Sequence, residues 1–124
     1  MSPKIRVLIA DDHRLFAQAL EAFLSNDERI EVVGKAKDGE EAVKIARSKK
    51  PDVILMDIAM PKVDGVEATK RIRSNGGRPC VLMLTGSNST GDVARAREAG
   101  ASAYVTKDKI ASQLVDVIVE LAER

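Results

Sequence analysis

Three aspartates stand where chemistry would be expected. Asp11 and Asp12 directly follow the apolar run Ile5–Ala10, and Asp57 directly follows Val53–Met56. Thr85 follows Cys80–Leu84 in the same way, and Thr106-Lys107 follow Ser102–Val105. Each polar residue therefore marks the carboxyl end of a strand-like segment. In open parallel sheets, ligands bind outside those ends, at the point where strand order reverses. Three carboxylates, a hydroxyl and an ammonium should then meet in one crevice. Clustered carboxylates repel, and one would take up a proton unless a cation intervened. A hard divalent cation such as Mg²⁺, which prefers oxygen ligands and keeps several waters, removes that repulsion. Three carboxylates, one such cation and Lys107 together carry no net charge. The crevice would still accept a phosphoryl group, because cation and lysine can take its oxygens while a carboxylate acts as nucleophile.

The elements that must position these residues alternate. Ile5–Ala10 reads as a strand, and Leu15, Phe16, Leu20, Phe23 and Leu24 then recur at helical spacing. Ile30–Ala36 reads as a second strand, followed by a helix over Gly39–Lys50 that Pro51 closes. Val53–Met56 is a third strand, Asp64-Gly65 opens a third helix with Ala68, Thr69 and Ile72 on one face, and Gly76-Gly77 ends it. Cys80–Leu84 is a fourth strand. A polar stretch from Gly86 to Gly91, with few apolar anchors, suits a mobile element and precedes an alanine-rich helix that stops at Gly100. Ser102–Val105 is a short fifth strand, and the last helix carries Ile110, Leu114, Val117, Ile118 and Leu121. Five strand–helix cycles imply a parallel sheet covered by helices on both faces.

Composition agrees with one domain spanning residues 1–124. Hydrophobic residues make up 44% and charged residues 31%, aromatics only 2%, and the formal net charge is +1. The core must be aliphatic, and the charge gives no footprint for direct nucleic-acid binding or for an anionic membrane. One cysteine, Cys80, excludes an internal disulfide framework and fits a reducing, cytoplasmic setting. It reads as a small buried hydrophobe. No apolar run reaches transmembrane length, and the start is no signal peptide.

With these motifs in place, the chain resembles a two-component response-regulator receiver domain along essentially its whole length. The matching residues are Asp11-Asp12, Asp57 within Leu55-Met56-Asp57-Ile58-Ala59-Met60-Pro61, Asp64-Gly65, Leu84-Thr85-Gly86, and Gly100 through Lys107. The resemblance implies a (βα)5 doubly wound α/β fold, a three-layer sandwich with flavodoxin-like strand order 2-1-3-4-5. It implies Asp57 as phosphoacceptor. Asp12 and Asp57 would ligate Mg²⁺ (or Mn²⁺) directly, Asp11 through water, and the main-chain carbonyl of Ala59 would complete the set. Thr85 and Lys107 would contact the phosphoryl group, and Tyr104 would be the switch aromatic that turns inward as Thr85 moves. The implied partners are a sensor histidine kinase, an output domain or downstream protein reached through helix four, strand five and helix five, and a second copy on phosphorylation. The implied role is phosphorelay control, of transcription above all, with self-phosphorylation and autodephosphorylation and no catalytic turnover. Small residues at Ala59, Gly86 and Ser87 would leave the acyl phosphate open to water.

Each residue also has an ordinary role. Asp12 could cap the first helix, Asp57 could sit in a turn, Thr85 could be a cap, Lys107 a solvated lysine, and His13 exposed filler at the rim. That account needs five unrelated coincidences at one sheet edge. Two other functions compete: an aspartate-nucleophile phosphohydrolase, and a degenerate receiver that works by protein contact alone. A flavin module would need a phosphate loop where two aspartates stand. The chain departs from the receiver pattern at Asp108, where proline is common, so a trans peptide bond is expected there. Asp11-Asp12-His13 with Lys107-Asp108 resembles the subfamily with a LuxR-type helix-turn-helix output, and no output domain is expected within these residues.

Overall fold

The computed structural model describes residues 3–74, 79–86 and 90–123. Five strands form one parallel sheet: β1 (Ile5–Ala10), β2 (Ile30–Ala36), β3 (Val53–Asp57), β4 (Cys80–Thr85) and β5 (Ala103–Thr106), in the order β2-β1-β3-β4-β5. The helices are α1 (Arg14–Ser25), α2 (Gly39–Lys49), α3 (Gly65–Ser74), α4 (Thr90–Ala99) and α5 (Val115–Ala122). The expected (βα)5 architecture and strand order are therefore observed.

Alternation along each strand sorts the core into two layers. Leu8, Ile54, Met56, Val81 and Met83 pack with Ala42, Ala68 and Ile72 beneath α2, α3 and α4. Val7, Ile9, Val53, Leu55, Leu82 and Leu84 pack with Leu20, Leu24, Leu114 and Ile118 of the α1/α5 side. Asp57 continues the parity of Val53 and Leu55, and Asp11 that of Val7 and Ile9. Both carboxylates therefore leave the sheet toward the α1/α5 side, at the reversal between β1 and β3.

Local chemistry sets the element ends. Asp38 Oδ1 accepts the Glu41 N–H at 2.8 Å and caps α2. Lys50 ends that helix in the left-handed region (φ 49°), and Pro51 prevents its continuation. Asp64 Oδ1 accepts the Glu67 N–H at 2.9 Å and caps α3. Gly100 closes α4 at φ +106°, where a Cβ would also press on the Arg73 side chain.

Several boundaries differ from the sequence expectation. Asp57 and Thr85 belong to β3 and β4, because ladder pairing with Leu84 and Thr106 continues through them. β5 is shifted by one residue relative to Ser102–Val105. Thr90 and Gly91, expected in the polar stretch after Gly86, are helical, and Gly76-Gly77 lie outside the described residues. The last helix does not begin cleanly at Ile110: a 3₁₀ turn (Lys107–Lys109) and a π turn (Ile110–Leu114) precede α5. Leu15, expected on the core stripe, is 80% exposed. The buried face of α1 carries Ala17, Leu20 and Leu24, with Phe16 and Phe23 partly buried beside it. Leu15 lies about 100° around the helix from Phe16 and points away.

Truncating the buried stripe should therefore be costly and truncating Leu15 should not. Leu24→Ala is expected to lower unfolding stability by about 2–5 kcal/mol. Leu15→Gln should change it by less than about 0.5 kcal/mol. Urea denaturation followed by circular dichroism checks both.

Candidate functional site

The two-residue step from β1 into α1 places the first acidic pair. The Asp11 N–H donates to the Ala36 carbonyl at 3.0 Å, extending the ladder by one residue. Asp11 is buried at 3% exposure, and its Oδ1 accepts the His13 backbone N–H at 2.8 Å. This turn throws Asp12 outward, so Asp12 does not cap α1; His13 is the N-cap and makes no side-chain cap bond. The His13 ring, 68% exposed, nonetheless turns back onto the pair, with Nδ1 at 3.2 Å from Asp11 Oδ1 and 3.4 Å from Asp12 Oδ1. It is more than rim filler.

Asp57 is held from beneath. It ends β3 at 5% exposure. The Ala59 N–H lies 3.4 Å from its Oδ1. The Gly65 N–H donates to the Ile58 carbonyl at 2.9 Å, and a Cβ on Gly65 would collide with the Asp57 carbonyl oxygen. Only glycine lets α3 start so close to the strand end. Asp64 also joins α4 through Arg95, at 3.6 Å, so α4 is linked to the residue next to this close approach.

Lys107 follows β5 at the same edge of the sheet. Its ammonium lies 3.3 Å from Asp11 Oδ2 and 3.7 Å from Asp57 Oδ2. It also sits over the Phe16 ring, 4.3 Å from the centroid. The peptide bond between Lys107 and Asp108 is trans, as among all the described residues. Thr85 ends β4 at 4% exposure, opposite Thr106. Tyr104 is 41% exposed and lines a shallow groove of about 50 Å³ with Val93, Ala96 and Arg97 of α4. Ala59 is exposed at the mouth, and Ser87 lies outside the described residues.

The electrostatics follow from this packing. Burial pushes the Asp57 carboxyl above the usual carboxylate range, and the neighbouring Asp11 charge pushes it further. Lys107 and the Ala59 N–H pull the other way without cancelling the rise. One oxygen or nitrogen from each of Asp11, Asp12, His13 and Asp57 can be taken so that all four lie within 4.8 Å of one another. Oxygen donors dominate this set, which fits a hard divalent cation. Sequence spacing brought Asp11, Asp12, Asp57 and Lys107 to this edge. It placed His13 at the rim without its contacts to the acidic pair, and it missed the contact of Phe16; both depend on how the turn and α1 are set.

A family model described as the response regulator receiver domain matches residues 7–119. The chain belongs to this family. It is 43% identical over 114 residues to the transcriptional regulatory protein LiaR of Bacillus subtilis (strain 168), an alignment covering 92% of this chain and 54% of that protein. The chain thus spans about half the length of that curated relative. Among solved structures, the signal receiver domain of the response regulator NarL from Mycobacterium tuberculosis superposes with a TM-score of 0.94 at 31% identity, covering 98% of both chains. A LuxR-family two-component response regulator from Aurantimonas sp. SI85-9A1 gives 0.90 at 33% identity, covering 98% of this receiver and 87% of that chain. These relatives agree with the LuxR-type subfamily that the Asp11-Asp12-His13 and Lys107-Asp108 pattern resembles.

The pH dependence of stability has a definite sign. Because folding raises the Asp57 pKa, the folded state favours the protonated acid. The resulting contribution is present below the unfolded carboxylate pKa and is lost as pH rises through the folded value. In metal-free buffer, Asp57→Asn should therefore be more stable than the wild type at neutral pH. The gap should close as pH falls below about 4. Thermal unfolding between those limits checks it; a gap that widens on acidification contradicts it.

Proposed function

We propose that residues 1–124 act as the phosphoacceptor unit of a two-component relay. Asp57 takes a phosphoryl group from a histidine kinase, and the altered α4-β5-α5 face passes the signal to an output domain or partner protein that controls transcription. The observation that carries this reading is Lys107, whose ammonium stands against both Asp11 and Asp57 at the mouth of a buried acidic pocket. A lysine in that place serves a phosphoryl group arriving on Asp57. The family membership supports the same role.

Asp11, Asp12 and Asp57 would hold Mg²⁺, or Mn²⁺ in its place, with the Ala59 carbonyl as a further ligand. The bound cation supplies charge neutralisation for the transferring phosphoryl oxygens. An Asp57 carboxylate oxygen attacks phosphorus, the bond from phosphorus to the donor nitrogen breaks, and the leaving imidazole takes up a proton. Lys107 shifts from the carboxylates to a phosphoryl oxygen, forming a charge-assisted hydrogen bond. Thr85, buried at the end of β4, donates its hydroxyl to another. Movement of Thr85 frees space beside β5, and Tyr104 turns into it from its exposed position. A tenfold change in population needs only about 1.4 kcal/mol of differential stabilisation. The small residue Ala59 at the exposed mouth leaves the acyl phosphate open to hydrolysis, which resets the switch without substrate turnover.

A phosphohydrolase would show steady turnover of phosphate esters, and a contact-only receiver would take up no phosphoryl group. Incubation with Mg²⁺ and acetyl phosphate followed by intact-mass measurement separates these readings. The wild type should gain one phosphoryl group and Asp57→Asn none. Gain in both proteins, or in neither, would overturn the assignment.

A further inference from the structure

We propose that Phe16 is a positioning residue for Lys107. Its ring holds the ammonium over the carboxylates and keeps it there while the lysine transfers to the phosphoryl group. The inference rests on the phosphoacceptor function proposed above.

Phe16 lies in the first turn of α1, and its apolar neighbours Leu20 and Leu24 follow at four-residue steps toward the core. Filling that stripe would need only an aliphatic side chain, as the aliphatic core around it shows. Phe16 instead presents a ring to Lys107 Nζ at 4.3 Å, inside the range in which a ring quadrupole attracts a cation. The same nitrogen is 3.3 Å from Asp11 Oδ2 and 3.7 Å from Asp57 Oδ2. Three contacts therefore converge on the ammonium of a side chain that is 25% exposed and has many rotamers.

The backbone supplies less restraint. Lys107 starts a 3₁₀ turn that runs into a π turn, and the next residue, Asp108, has no ring to fix its φ. The aromatic face has another useful property. Hydrogen bonds to Asp11 and a phosphoryl oxygen are alternatives for one N–H, whereas attraction to the ring does not consume a donor. Lys107 can exchange acceptors without leaving Phe16. The contacts thus have separate duties: the lysine exchanges its carboxylate partners for the phosphoryl group and keeps the ring.

A double-mutant cycle tests the proposal, using phosphoryl gain from acetyl phosphate with Mg²⁺, read by intact mass. Phe16→Leu keeps the apolar volume and should slow phosphorylation roughly threefold to tenfold, with Phe16→Tyr restoring the rate to within about twofold. In a Lys107→Ala background, Phe16→Leu should produce no further slowing. Equal slowing in both backgrounds, or none in the first, overturns the positioning role. A second measurement needs no phosphorylation. The ε-methylene protons of Lys107 should show an upfield ring-current shift by NMR in the wild type and Phe16→Tyr, absent in Phe16→Leu. An unshifted signal in the wild type overturns the contact. A wild type that takes up no phosphoryl group overturns the underlying function and with it the positioning role in phosphorylation, while the ring-current shift still decides whether ring and ammonium are joined.

Discussion

The constraint on which the structure depends is the repulsion among carboxylates held at one sheet edge. Asp11 and Asp57 are both nearly fully buried, and each faces the same lysine. Two buried carboxylates so close would not both stay ionised without positive charge: burial pushes the Asp57 carboxyl up, and the Asp11 charge adds to that rise. Lys107 offsets part of it. In the function proposed above, the remainder would be met by a divalent cation, and the combination would receive the phosphoryl group. A site satisfied by its own side chains would have no such appetite.

The fold contributes by placing these charges without freedom to separate. Asp11 and Asp57 extend adjacent parallel strands with the same parity, so neither can turn away without breaking register. Gly65 lets α3 press against the Asp57 carbonyl, and Asp64 beside it is tied to α4 through Arg95. The covering helices are therefore mechanically close to the acidic pocket. α4 also borders the groove beside the exposed Tyr104. In the function proposed above, a change of charge at Asp57 would reach the α4-β5 face through these contacts.

How much of this was legible in the sequence follows from which residues obey a periodic rule. The strands are buried on both faces and read as unbroken apolar runs, so β1, β3 and β4 were found with their polar ends attached. Asp11, Asp12, Asp57 and Lys107 then met by topology alone. Leu15 falls at helical spacing with the buried residues of α1, but spacing does not say which edge of that apolar arc faces the sheet. The turn types at the start of the last helix were not legible for a related reason: its apolar spacing tolerates a 3₁₀ and a π turn without any change of residue type. His13 and Phe16 obey no periodic rule that links them to the pocket. Their contacts arise from the turn at Asp11, whose carboxylate accepts the His13 N–H and sets how α1 leaves the sheet.

The most direct test of the carboxylate-repulsion account is the thermal unfolding midpoint as a function of Mg²⁺ concentration, against NaCl of equal ionic strength. A cation that binds the folded pocket must raise the midpoint progressively with its concentration. The account predicts that rise for the wild type, with a much smaller one for Asp57→Asn and Asp12→Asn. A wild-type midpoint that responds to Mg²⁺ no more than to NaCl would contradict it.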